Sequence, residues 1–160
     1  MHMLLRLIIV GAVLSVGGVA PAAANATADP TEGTWTLNVA KSKFDPGPAP
    51  QSHTRSYATT AQGVALTFSE VAADGTKSSG QSNYKYDGKD YPITGSPNFD
   101  TLAVTRIDAY TAKSVQKKDG KPIGTTIRKV SKNGKVLTLR SKGTSATGTP
   151  YNNVLIFDKQ

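Results

Sequence analysis

The sequence predicts an all-β fold, an antiparallel up-and-down barrel of about ten strands with no substantial helix in the mature domain. Apolar residues recur at every second position, as in Trp35, Leu37 and Val39, which places large side chains on one face of a strand. Four dipeptides that tolerate the positive φ of tight hairpins separate strand-like runs: Asp74-Gly75, Asp87-Gly88, Asp119-Gly120 and Asn133-Gly134. A meander of this many strands closes readily, since closure removes unpaired edges, and a two-sheet sandwich is the main alternative.

The first residues are typical of a secretion signal. Arg6 precedes an apolar stretch over 7–20, and Ala22-Ala23-Ala24 supplies the small residues that signal peptidase needs. We predict that residues 1–24 are removed, with competing cleavage frames ending at 26 and 28 and an uncleaved anchor as the alternative. The mature protein is then expected to be soluble in the periplasm or outside the cell. Because the chain has no cysteine, it carries neither a lipid on cysteine nor a disulfide.

The 136 residues that remain match the length of one domain. Residues 25–32 form a small polar leader, which we expect to be disordered, and the barrel domain covers 33–160. The first strand is predicted over 33–39. The connection over 40–52 contains Pro46, Pro48 and Pro50, which exclude a helix or a central strand, so it should lie across one end of the barrel. The turn signals then delimit nine more strands: 53–60, 64–71, 77–86, 89–93, 101–108, 111–118, 122–131, 135–144 and 151–157.

Positive charge is concentrated in the second half of the chain. The formal net charge is +8, and 106–142 contains 11 Lys or Arg against only Asp108 and Asp119. The positive electrostatic field of this region favours anionic partners such as lipid, polysaccharide or nucleic acid. Lysines and arginines on solvated strand faces explain the same pattern. No motif indicates specific binding of nucleic acid.

The opening of the first strand, Gly33-Thr34-Trp35, is followed by sequential hairpins and a final strand at 151–157. This arrangement resembles the calycin superfamily, meaning lipocalins and fatty-acid-binding proteins, over essentially the whole mature domain. Ten strands are more similar to the fatty-acid-binding branch than to the eight-stranded lipocalins. The resemblance implies a carrier or scavenger that encloses a small hydrophobic or amphipathic molecule.

The chain departs from that branch in two places. The proline-rich connection stands where the branch has a helical lid, and Leu155-Ile156-Phe157 lacks the Arg-x-Tyr pattern that grips a carboxylate from the last strand. The resemblance also implies that Trp35 is a structural plug at the closed end, with Arg140 or Arg128 stacked across it. Direct contact between Trp35 and a ligand is the other interpretation.

Arg106 has three possible roles in this prediction. Strict alternation over 101–108 puts Leu102, Val104, Arg106 and Asp108 on one face. An inward arginine needs a partner, because an unpaired buried charge is costly. Arg106 therefore pairs with Asp108, binds an anionic or hydroxyl-bearing ligand, or lies in solvent if the register is shifted by one residue.

The aromatic residues are the remaining candidates for a pocket wall. A tyrosine combines an apolar ring with a hydroxyl, which suits a pocket for an amphipathic molecule and equally suits cross-strand packing. With Arg106, the candidate ligand-binding residues are Tyr57, Phe68, Tyr84, Tyr86 and Phe157.

The residues give little support for catalysis or for a cofactor. His53 is the only histidine of the mature chain and is expected to be exposed at a strand start, and no cysteine is present. We therefore expect no catalytic residue, metal or cofactor. The leading prediction is an exported carrier. The alternative is a non-catalytic envelope binding module whose basic outer surface, residues 106–142, contacts anionic polymer or membrane.

Overall fold

The computed structural model describes residues 28–160, so the predicted signal peptide and its cleavage site lie outside the described residues. The described chain forms ten antiparallel strands, and the predicted all-β fold is confirmed. They are β1 (Gly33–Leu37), β2 (Ser52–Thr60), β3 (Gly63–Val71), β4 (Lys77–Tyr84), β5 (Asp87–Pro92), β6 (Thr101–Asp108), β7 (Thr111–Lys118), β8 (Lys121–Val130), β9 (Val136–Thr144) and β10 (Pro150–Lys159). The helical structure within 28–160 is a single 3-10 turn, Val39–Lys41, and no helix there could cross a bilayer.

The strands follow one another as a meander that closes almost completely. β1 pairs with both β2 and β10, so the first and last strands of the domain meet in the sheet. Between β4 and β5 the ladder is reduced to a bridge between Ser82 and Ile93 and a hydrogen bond of 2.9 Å from the Thr94 amide to the Gln81 carbonyl. The sheet is therefore a barrel with one narrow gap.

Alternating burial along the strands builds the core inside this barrel. Trp35 and Leu37 of β1 are buried as predicted, and Trp35, Tyr84 and Phe157 are among the largest side chains with essentially no exposure. Val39 departs from the prediction because β1 ends at Leu37 and the chain enters the 3-10 turn, which leaves Val39 38% exposed.

The proline-rich connection is held against one end of the barrel, which we call the open end. The Lys43 amide donates to the Val154 carbonyl at 2.7 Å, and the Asp45 amide donates to Asn153 Oδ1 at 2.8 Å. A groove beside the connection contains three of its prolines together with Phe44 and His53. The opposite end, which carries Trp35 and the described part of the leader, is the closed end.

Candidate functional site

A cavity of about 160 Å³ lies inside the barrel. Alternation aims side chains from most of the strands into it, because every second residue of a strand faces the interior. Apolar side chains line part of the cavity, among them Leu66, Ile93 and Val104. Arginine, glutamine and hydroxyl side chains line the rest. This mixture suits an amphipathic molecule.

Arg128 of β8 is a buried cation at the edge of this cavity, with 9% of its surface exposed. Its guanidinium donates to the hydroxyls of Tyr84 and Tyr86 at 2.6 Å each, and lies 4.9 Å from the ring of Tyr57. Burial opposes its charge, but the tyrosine contacts outweigh burial and raise the pKa of Arg128 above its ordinary value. Within residues 28–160, no carboxylate forms a salt bridge with it.

Arg55 adds a second cation to the same region. It lies two residues before Tyr57 on β2, and its Nε donates to the Tyr57 hydroxyl at 3.0 Å. Tyr57, 3% exposed, therefore lies between two guanidinium groups. Burial raises the pKa of its phenol, but Arg55 and Arg128 outweigh burial and lower it overall. We call Arg55 and Arg128, together with Tyr57 between them, the cationic pole.

A polar wall lies beside the cationic pole. The pairing of β7, β8 and β9 places Ser114, Thr126 and Ser141 in one inward row, with Thr126 Oγ1 2.8 Å from Ser141 Oγ. Gln116 comes from the next row, and its Nε2 donates to Ser114 Oγ at 2.9 Å and to Thr126 Oγ1 at 3.0 Å. Its carbonyl oxygen, Oε1, is buried and has no hydrogen-bond partner among the described residues.

Arg106 lies at the closed end and is paired, but not with Asp108. Its Nη2 is 2.6 Å from Asp29 Oδ2, and its guanidinium carbon lies 3.9 Å above the ring of Tyr86. Leu102, Val104 and Arg106 share a face as predicted, yet the partner comes from the leader, 77 residues away in sequence. The predicted Asp108 pair is therefore wrong, and contact between Arg106 and a ligand stays a prediction.

The leader, predicted to be disordered over 25–32, packs against the barrel in its described part. Thr31 is 3% exposed. Asp29 accepts hydrogen bonds from the Thr31 amide at 2.9 Å, from the Thr31 hydroxyl at 2.5 Å and from the Tyr86 hydroxyl at 2.5 Å. Burial raises the pKa of Asp29, but these bonds and the charge of Arg106 outweigh it and lower the pKa to about 2.

Trp35 is completely buried, and its indole N–H donates to the Thr31 carbonyl at 2.7 Å. The cation near its ring is Lys159 of β10, whose Nζ lies 5.1 Å from the ring centre. The predicted partner, Arg140 or Arg128, is wrong. Register pairs Trp35 with Lys159, Arg140 is exposed between inward neighbours on β9, and Arg128 is held by tyrosines.

The other predicted ligand-binding residues lie in three places. Tyr57 and Tyr84 line the cavity, and Tyr86 joins the leader to Arg128. Phe68 and Phe157 pack around His53 instead, with ring centres 6.3 and 5.3 Å from the imidazole. Contact between any of these residues and a ligand stays a prediction.

His53 is buried rather than exposed, because the alternation of β2 turns it inward on the same face as Arg55 and Tyr57. Its Nδ1 lies 2.9 Å from Glu70 Oε2, and its Nε2 is buried without a partner among the described residues. Burial and Arg55 outweigh Glu70 and lower the pKa of His53 below its ordinary value. The imidazole is therefore neutral at pH 7. Residues 28–160 contain no group of three or more His, Cys, Asp or Glu placed to hold a metal.

Sequence reasoning missed Arg55 and Gln116 as site residues. The signal for Arg55 was present, since it shares the parity of Tyr57 in the predicted strand 53–60. Nothing in the local sequence distinguishes the inward Gln116 from the outward lysines beside it.

Comparison with solved structures places this barrel among known folds. The crystal structure of zebrafish ileal bile acid-binding protein complexed with cholic acid is similar, with a TM-score of 0.51 and 13% sequence identity, over 82% of this chain and 99% of that chain. The calycin-like barrel predicted from the sequence is confirmed as a fold. No family model matches the chain, and no curated protein matches it. The similar structure is that of a ligand-binding protein, and at this identity the likeness concerns the fold alone.

Proposed function

We propose that the protein is an exported carrier or scavenger whose barrel holds a small amphipathic acid, with the acid group bound at the cationic pole. The observation that carries this proposal is the pair of cavity-lining arginines, Arg55 and Arg128, that form no salt bridge within the described residues. A buried cation is strongly favoured by a counter-charge and bidentate hydrogen bonds. A carboxylate or a similar anionic group supplies both.

The remaining cavity surface supports an amphipathic ligand rather than a bare ion. Leu66, Ile93 and Val104 line the same cavity and offer apolar contact. The similar zebrafish barrel is complexed with cholic acid, which is an amphipathic acid. Export is proposed from the apolar stretch and alanine-rich exit of the first 24 residues.

The first experiment is native mass spectrometry of the mature protein purified from its own host, followed by organic extraction of whatever co-purifies. We expect an organic acid in stoichiometric amount that survives high salt. In the same assay, Arg128→Met should reduce its occupancy, and its affinity should fall roughly 10- to 100-fold, as expected for losing a charged hydrogen-bond donor.

Arg140→Met is the matched control, because Arg140 is exposed on the outer face of β9 and its removal lowers the net charge equally. Arg55→Met tests the same pole without removing the most buried cation. A clean apo mass, together with no binding of phenylacetate by calorimetry, contradicts the proposal.

A second candidate function rests on the outer face of β7 to β9. Lys129, Arg140 and Lys142 are exposed there, and no carboxylate within residues 28–160 forms a salt bridge with them. An envelope module that contacts anionic polymer or membrane would use this face. Binding of the mature protein to anionic vesicles that weakens steeply between low and physiological salt, and is lost in Lys129→Gln with Arg140→Gln, would favour it.

A further inference from the structure

Gln116 presents a buried hydrogen-bond acceptor that the protein does not use. Gln116 is 7% exposed, and its Nε2 donates hydrogen bonds to Ser114 and Thr126. In this orientation of the amide, Oε1 has no partner among residues 28–160. An unsatisfied buried acceptor is unfavourable, and nearly all such groups in proteins are paired. A donor from outside the chain would satisfy it.

Two glycines beside Gln116 let the Tyr151 side chain approach this oxygen. Gln116 pairs with Gly124 of β8, and Gly124 pairs with Gly143 of β9, so two successive positions of the wall lack side chains. A Cβ at either glycine would collide with the Tyr151 hydroxyl, and one at Gly124 would lie 3.4 Å from Gln116 Oε1. The glycines therefore allow Tyr151 and Gln116 to reach the same cavity.

The polar wall and the cationic pole are separated by a distance that strand geometry sets. Arg128 and Thr126 face the interior two residues apart on β8, which corresponds to ~7 Å along the strand. Gln116 reaches back to Thr126, so its amide lies at about the level of that row. A ligand that contacts both regions needs an acid group and a hydrogen-bond donor separated by about one aromatic ring.

We propose that Gln116 Oε1 accepts a hydrogen bond from a hydroxyl of the ligand, and that the ligand class is a compact hydroxylated acid rather than a long-chain fatty acid. The inference rests on the proposed function, since it needs the acid group at Arg55 and Arg128. The size of the cavity agrees with it. At about 160 Å³, it lies below the roughly 300–1,000 Å³ that drug-sized ligands occupy.

The test compares two probes that differ by one hydroxyl, 4-hydroxyphenylacetate and phenylacetate, by calorimetry on the delipidated mature protein. We expect at least a tenfold preference for the hydroxylated acid. Gln116→Met should bring the ratio of the two affinities close to one, because it replaces the acceptor with an apolar group of similar length. Gln62→Met, in the exposed turn between β2 and β3, is the control and should keep the wild-type ratio.

Three results separate the two proposals. Equal affinities for both acids, each weakened by Arg128→Met, would overturn the role of Gln116 and leave the acid-binding barrel standing. Tighter binding of palmitate than of either probe would overturn the compact ligand class while also leaving the acid site. If neither acid nor palmitate binds, the proposed function fails, and the inference fails with it.

Discussion

Buried polar groups have hydrogen-bond partners at the closed end of this barrel, whereas the polar wall leaves one of its buried polar groups without a partner. At the closed end, the indole N–H of Trp35 has a carbonyl partner, and Asp29 accepts bonds from Thr31, Tyr86 and Arg106. At the polar wall and toward the open end, Gln116 Oε1 and His53 Nε2 are buried without partners in the described chain.

This difference separates stability from binding. A polar network whose members are all paired strengthens each bond and holds one arrangement. A buried acceptor without a partner lowers the stability of the ligand-free protein. It favours binding of a ligand that donates a hydrogen bond to it. We therefore expect substitutions at the closed end to lower the free energy of unfolding, and those at the polar wall to affect binding more than stability.

The largest effect is expected at Trp35. Trp35→Ala removes the largest fully buried side chain and the anchor of the leader, so the free energy of unfolding should fall by about 3–5 kcal/mol. Urea unfolding followed by circular dichroism measures it. Tyr110→Ala, at a position 40% exposed, is the control and should change the value by less than about 0.5 kcal/mol. Similar losses in both variants would show that Trp35 is no special anchor.

The next effect is expected at the leader. Asp29→Asn weakens the bonds to Arg106 and Tyr86 and should lower the free energy of unfolding by about 1–2 kcal/mol at pH 7. Because the folded-state pKa of Asp29 is depressed from 3.8 to about 2, its contribution is complete above pH 3.8 and is lost as the pH falls toward 2. The variant should lose less stability than the wild type over that window.

Asp90→Asn is the comparison for this carboxylate. Asp90 forms an ion pair with Lys117 on the surface, where its side chain is 47% exposed, and such pairs contribute at most about 1 kcal/mol. An Asp90 effect as large as the Asp29 effect would contradict a special role for the leader contact.

His53 should give a smaller, pH-dependent effect. Its folded-state pKa lies below the ordinary 6.5, so the folded protein binds the proton more weakly than the unfolded chain does. The free energy of unfolding should therefore fall as the pH decreases below 6.5. Uptake of one proton between pH 6.5 and 5 can lower the free energy of unfolding by at most about 2 kcal/mol. His53→Phe, which suits the contacts with Phe68 and Phe157, should remove this dependence. An unchanged pH profile in the variant would show that another group is responsible.

The smallest effect on stability is expected at Gln116. Gln116→Met removes the unsatisfied oxygen, so the free energy of unfolding should rise or stay within about 1 kcal/mol of the wild type. Chemical denaturation of the ligand-free protein measures this. A loss above about 2 kcal/mol would show that the amide supports the wall structurally and that the comparison between the two regions is wrong.

Much of the fold was predictable because hairpin signals are local. Alternation and dipeptides such as Asn133-Gly134 act within a few residues, and all ten predicted strands are present within a few residues of their expected bounds. Val39 was placed wrongly because a strand end depends on where the partner strand stops pairing. The described leader residues were expected to be disordered because their anchors, Tyr86 and Arg106, are far away in sequence.

The candidate site was predictable only in part. Tyr57 and Tyr84 were identified by residue type and strand parity, and both line the cavity. The partners of the cations were not identified: Arg106 pairs with Asp29 rather than Asp108, and Lys159 rather than an arginine lies over Trp35. In each case the choice depends on which strands are neighbours and in what register.

The sequence by itself determined the strands, the hairpins, the calycin-like barrel and the residue types available to its interior. Only the tertiary structure decided which charges are paired and which buried groups are left over. The physical reason is range: alternation and turn chemistry act between neighbours in the chain, whereas Arg128 meets Tyr84 across 44 positions of sequence. Such contacts exist only after the barrel closes and its register is set.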